Sequence, residues 1–169
     1  MKFNYVEGKK GDKAEKEEKT EKIEKNTKKG AASEKQAKEE KVYIIPLGGM
    51  EEVGKNMTAF QYKDEIVIVD AGLTFPEDEH LGIDVIIPDF TYLENNKDKI
   101  KSLLLTHGHE DHIGAIPYLF QKLGSTDITI YGGKLTLELA KAKFEKKDAV
   151  IPKMKVVKGR TKLKLSKYF

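Results

Sequence analysis

At 169 residues, with 35% of them charged, no cysteine and a formal charge of +3, the chain reads as about one soluble domain. Without thiols it has neither disulfides nor thiolate ligands, so any metal ion must rest on nitrogen and oxygen. No apolar run reaches the ~18 residues of a membrane span, and no apolar segment opens the chain as a signal peptide would; the expectation is a cytoplasmic protein with no membrane partner.

Residues 1–41 stand apart. From Glu7 to Lys41 the segment is dominated by Lys, Glu and Ala, and Ile23 is its only large aliphatic residue. Such a stretch buries too little apolar surface to offset the entropy of ordering, so a disordered tail is expected. Glu-to-Lys pairs four apart (Glu15/Lys19, Glu18/Lys22, Glu21/Lys25, Glu24/Lys28, Glu34/Lys38) support at most a transient helix with no apolar stripe to dock it. The tail holds 13 lysines against 10 acids, which leaves 18 of each sign in residues 42–169, so the whole +3 resides in the tail. A lysine-rich arm would speed encounters with RNA. Because the lysines are nearly matched by glutamates, a solubilising appendage is the preferred reading.

From Val42 the chain turns β-rich, and strands alternating with helices predict an α/β layered fold for 42–169. Val42–Leu47 and Met57–Tyr62 read as strands. Lys63-Asp64 then turns into Glu65–Asp70, a β-branched run typical of a strand buried on both faces. Between the first two strands, Gly48-Gly49 through Lys55-Asn56 has a phosphate-loop look without Walker or Rossmann spacing, and a plain glycine turn accounts for it equally well. Phe75 to Pro88 is irregular, with Leu81–Pro88 packing back onto the sheet. His80, the lone histidine of this stretch, reads as a surface residue. Asp89 caps a short helix through Asn96, and Lys101–Thr106 forms the next strand.

That strand delivers Thr106-His107-Gly108-His109-Glu110-Asp111-His112, where three of the chain's four histidines fall within six positions. A dense His/Asp cluster reads as a metal site. His107 and His109, two apart in an extended loop, can grip one ion, while Asp111 and His112, beyond a turn, can face a second. Glu110 is expected to face away. A helix follows over Ile113–Leu123, with Pro117 in its first turn and Gly124 closing it. Asp127–Tyr131 is a further strand. Leu135–Lys147 is a helix with Leu135, Leu139, Ala142 and Phe144 inward, and Met154–Val157 with Leu163–Leu165 make a last strand pair.

His-x-His-x-Asp-His after an apolar strand resembles the metallo-β-lactamase superfamily. Gly48-Gly49-Met50-Glu51-Glu52-Val53-Gly54-Lys55-Asn56, Asp70-Ala71-Gly72-Leu73-Thr74-Phe75-Pro76 and Gly82–Phe90 narrow the resemblance to the bacterial ribonuclease J family of its β-CASP branch, from about Val42 onward. The resemblance implies the first half of an αββα sandwich. It also implies an RNA-cleaving hydrolase, a 5′-to-3′ exonuclease with endonuclease activity, and two zinc ions per complete catalytic domain. His107, His109, Asp111 and His112 would be the ligands, with Asp111 and His112 catalytic. Asp70 would orient ligands by hydrogen bonds, a structural turn cap being the plainer alternative, and Lys55 or Asn56 would approach RNA phosphate. RNA is the implied partner, and self-association is implied for the full-length protein. The family also uses a further histidine and a bridging aspartate downstream, yet no histidine follows His112. The chain therefore looks like a truncated family member, expected to bind zinc weakly, to be inactive alone and to leave Ile66-Val67-Ile68 facing water. The readings set against this are another hydrolase of the same superfamily and a non-catalytic truncated product.

Overall fold

The computed structural model describes residues 40–77, 82–124, 127–147 and 149–169. The charged tail, save for Glu40 and Lys41, lies outside the described residues, as does His80. Within them runs a six-stranded sheet in which sequence order and spatial order coincide. Strands β1 (Val42–Gly48), β2 (Met57–Tyr62) and β3 (Glu65–Val69) form an antiparallel meander, and β4 (Ile100–Leu104), β5 (Thr129–Gly132) and β6 (Met154–Val156) extend it in parallel. Each parallel step needs a crossover, which α1 (Thr91–Asn95), the pair α2 (Glu110–Ile113) and α3 (Ile116–Leu123), and α4 (Lys134–Glu145) supply in turn. Right-handed crossovers between successive neighbours all fall on one side of a sheet. The core accordingly joins Met57, Ala59, Ile66, Ile68, Leu103 and Ile130 of the sheet to Leu93, Leu119, Leu137 and Phe144 of the helices.

Local chemistry explains most boundaries. Asp89 Oδ1 accepts from Thr91 N (2.8 Å) and Thr91 Oγ1 (2.6 Å), which anchors the entry to α1 one residue ahead of its N-cap, Phe90. Pro117 sits at the start of α3 and Gly124 closes it in the left-handed region at φ 61°. The segment before α1 returns to the sheet as expected, with Thr74 and Ile86 bridged and Val85 and Ile87 against the core.

Four expectations need correction. The helix after the metal motif begins at Glu110 rather than near Ile113, so Asp111 and His112 sit on a helical turn. On α4 the inward stripe is Leu137, Ala140 and Phe144, while Leu135 is 74% and Leu139 42% exposed. Of the four residues expected inward only Phe144 is fully buried, because the helix packs through the 137/140/144 spacing. Leu163–Leu165 is not a strand: Leu165 N and Ser166 N donate to Phe169 O (2.8 and 3.0 Å), which curls the segment into a turn. Finally, Ile66, Val67 and Ile68 are at most 3% exposed. Ile66 and Ile68 join the helical core, and on the opposite face Glu65, two residues from Val67, is covered by that same C-terminal turn. Among the described residues no helix is long and apolar enough to cross a membrane.

Candidate metal centre

Parallel neighbours end at the same edge of a sheet, and that edge is where β3 and β4 release Asp70 and the His107 loop. The ladder runs on for one residue past each strand, with Asp70 N donating to Leu104 O and Leu105 N to Tyr131 O, both at 2.8 Å. Asp70 is buried and has φ 59°, a left-handed conformation that Asp tolerates better than most residues. That turn aims its carboxylate across the strand ends. Oδ1 accepts from Thr106 N at 2.8 Å, and Oδ2 accepts from Thr106 Oγ1 at 2.7 Å and from His112 Nδ1 at 2.8 Å. An imidazole that donates Nδ1–H to a carboxylate keeps Nε2 unprotonated, the form in which histidine ligates metal.

The backbone of α2 is held as firmly as its side chains. Its carbonyls accept from the segment after β3 and from the loop before β2: Leu73 N to Glu110 O (3.1 Å), Asn56 N to Asp111 O (3.0 Å) and Ala71 N to His112 O (2.8 Å). Such close passage excludes side chains. A Cβ on Gly72 would stand 1.6 Å from Asp111 O, so only glycine lets the two segments touch. Asn56 Nδ2 adds bonds to Asp111 O and Asp111 Oδ2, each 3.1 Å, and lies 3.3 Å from His112 Nε2.

One ligand atom each from His107, Asp111 and His112 converges within 4.8 Å, the group of three or more metal-binding side chains found among the described residues. This differs from the two pairs expected. His107 stands against His112, ring centroids 3.8 Å apart, rather than pairing with His109 alone. His109 meets the edge of His107 at 4.7 Å and caps the N-terminus of α2 in extended backbone, outside the converging group. The reason is the early helix start, which swings Asp111 and His112 back over the end of β4. Glu110 turns away, as expected, and pairs with Lys143.

The residues expected at RNA phosphate are otherwise engaged: Lys55 Nζ pairs with Glu52 Oε2 at 2.8 Å, and Asn56 serves Asp111. Two participants escaped the sequence reading. Thr106, whose hydroxyl lies 2.7 Å from Asp70 Oδ2 and 3.0 Å from His107 Nδ1, directly precedes the first histidine, and that adjacency was the available signal. Asn56 as a partner of Asp111 had none, since 55 residues separate the two. The donor set is nitrogen and oxygen, half-buried, with its imidazole oriented from behind by a carboxylate. It fits a divalent metal ion.

The family model described as the metallo-beta-lactamase superfamily matches residues 50–158. Ribonuclease J 1 of Streptococcus pyogenes is 50% identical over 108 residues, which are 64% of this chain and 19% of that protein. Ribonuclease J 2 of Staphylococcus aureus is 49% identical over 111 residues (66% and 19%), and ribonuclease J of Thermus thermophilus 50% over 106 residues (62% and 18%). The chain thus spans about a fifth of the length of these curated relatives. Among solved structures, the short form of human tRNase Z matches 68% of this chain and 42% of that one, with a TM-score of 0.44 and 17% identity. A diphosphatase from the PhnP family matches 70% and 51%, with a TM-score of 0.42 and 19% identity.

Proposed function

We propose a ribonuclease role for this chain, which belongs to the metallo-β-lactamase superfamily, with zinc as its ion and the RNA phosphodiester as its substrate. The observation that carries the reading is half-identity to three ribonucleases J, beside a superfamily match over residues 50–158 that spans the His107–His112 loop. The reading extends to two zinc ions per complete catalytic domain, 5′-to-3′ exonuclease with endonuclease action, a cytoplasmic setting and self-association.

In this reading His107, Asp111 and His112 would hold the ion, and His109, whose ring lies beside that of His107, is the further candidate ligand. When bound, zinc supplies a nucleophile at neutral pH and a Lewis acid for phosphoryl oxygens. The protein's own work is positional. Asp70 fixes the ring and tautomer of His112 and, through Thr106, ties the start of the ligand loop to the end of β3. Asn56 donates to Asp111 Oδ2 and so fixes the direction of that carboxylate. Ligands held in advance need little reorganisation when charge develops on the substrate.

A chimaera tests this. With residues 42–169 in place of the matching segment of the Streptococcus pyogenes relative, the hybrid is expected to degrade RNA in the presence of zinc, and Asp111→Ala to abolish degradation while RNA binding persists. A folded hybrid that binds zinc and leaves RNA intact would overturn the ribonuclease reading. Full activity of the Asp111→Ala hybrid would overturn the ligand assignment.

A further inference from the structure

Charge in this chain is segregated. Residues 42–140 carry 7 lysines against 16 acids, whereas residues 141–167 carry 11 lysines and arginines against 2 acids, Glu145 and Asp148. The near-neutral total for 42–169 conceals a strongly basic last stretch. Part of that stretch emerges at the sheet edge that bears the metal ligands. β6 runs parallel to β4 and β5, so Lys158 and Arg160, directly after it, leave at the same edge as the His107 loop. Val157 N donates to Gly132 O at 2.8 Å, which fixes this exit beside the start of α4. Lys134 opens α4 at the same edge, one strand nearer the metal ligands.

The order along the edge is therefore ligand loop after β4, Lys134 after β5, and Lys158-Gly159-Arg160 after β6. Two strand spacings, roughly 10 Å, separate the first from the last. All these basic side chains are exposed, and none of Lys134, Lys158 and Arg160 has an ion-pair partner among the described residues. A row of unpaired cations leading away from a metal site suits a linear polyanion entering that site. Consecutive phosphates of a single strand are spaced closely enough to meet several of them at once.

We infer that Lys134, Lys158 and Arg160 form a track along the C-terminal edge of the parallel strands that holds the phosphate backbone of single-stranded RNA as it approaches the metal ligands. The inference rests on the ribonuclease reading for the choice of polyanion. Phosphate contacts of this kind position the strand and carry no sequence preference.

The test is binding of a short fluorescein-labelled single-stranded RNA to the full 169-residue chain in EDTA, by anisotropy across a salt series. Lys134→Gln/Lys158→Gln/Arg160→Gln removes the three charges of the track. Lys97→Gln/Lys99→Gln/Lys153→Gln removes the same charge from the opposite edge, where β4 and β6 begin. The track variant is expected to weaken binding about tenfold and to make the log–log salt slope shallower by about 2, some 0.7 for each lost contact. The opposite-edge variant should stay within about twofold of the parent. Equal losses in both variants would reduce the effect to net charge and overturn the track. So would an unchanged slope in the track variant, or no RNA binding by the parent chain. Because EDTA removes the metal chemistry, RNA binding lost only in the track variant, beside a hybrid that fails to cleave, would sustain the track and sink the ribonuclease reading.

Discussion

Asp70 does the work of three residues, because one buried carboxylate accepts from the backbone and hydroxyl of Thr106 and from His112 Nδ1. Asp70→Asn separates these roles. Asn tolerates the left-handed backbone that Asp70 adopts, so the turn survives. Its amide nitrogen, placed where Oδ2 was, cannot accept from His112, which then moves its proton to Nε2 and loses the ligand lone pair. Zinc affinity of the chain is expected to fall about 10- to 100-fold, read by competition with a chromophoric chelator, while far-ultraviolet circular dichroism is unchanged. Unaltered affinity in Asp70→Asn would leave Asp70 as a turn cap only. At this scale the candidate ligands stood out in the sequence because they are contiguous and chemically distinctive, and three of the four, His107, Asp111 and His112, converge. Their pairing was not legible, because it depends on where α2 starts, and four residues of helix carry too weak a signal to place from spacing.

At the scale of elements, the strands of the first hairpins were read almost to the residue, whereas β4 and β5 were placed within two residues and Leu163–Leu165 was read as a strand it does not form. β2 is Met57–Tyr62 in both the reading and the structure, since alternation and the Lys63-Asp64 turn bracket it. On α4, by contrast, apolar residues occur on two faces, and a pattern of that kind does not say which face meets the sheet. Packing settles it: Phe144 is 0% exposed and edge-on to Phe120 at 5.5 Å, whereas Leu135 stands in solvent beside Lys134. Phe144→Ala is therefore expected to destabilise the chain by about 3–5 kcal/mol in urea unfolding. Leu135→Ser should change stability by no more than about 0.5 kcal/mol. Comparable losses from the two would restore the face first read from the sequence. Leu139 belongs to neither class, since its Cδ1 would lie 2.6 Å from a Cβ placed on Gly108, which makes it the floor under the ligand loop.

Over the whole molecule, the open question for a one-sided α/β sheet is what covers its other face. The sequence offered no cover, and strand β3 was expected to meet water. The structure uses the last residues instead. Ser166 Oγ donates to Glu65 Oε2 at 2.6 Å, Tyr168 N donates to Oε2 at 3.0 Å and Lys167 N to Oε1 at 3.3 Å, while the Tyr168 ring packs edge-on to Tyr62 at 5.4 Å. These partners lie more than 100 residues from Glu65 in sequence, which is why no local pattern announced them. Burial alone would raise the Glu65 carboxyl, but the bonds from Ser166, Tyr168 and Lys167, helped by the charge of Lys101, outweigh it and hold the group below its ordinary value. A carboxyl depressed in the folded state binds its proton more weakly there than in the unfolded chain. The latch therefore contributes its full stability above the ordinary carboxylate range and loses it as pH falls through the depressed value. Amide protection at Lys167 and Tyr168, measured by hydrogen exchange and corrected for intrinsic rates, is expected to hold steady from neutral pH down to that range and to drop below it. Glu65→Gln keeps the size of the side chain but removes its charge, so its protection should be low already at neutral pH and flat on acidification. Protection that is equally flat in the parent chain would mean that Glu65 is not the group that fastens the C-terminal turn to the sheet.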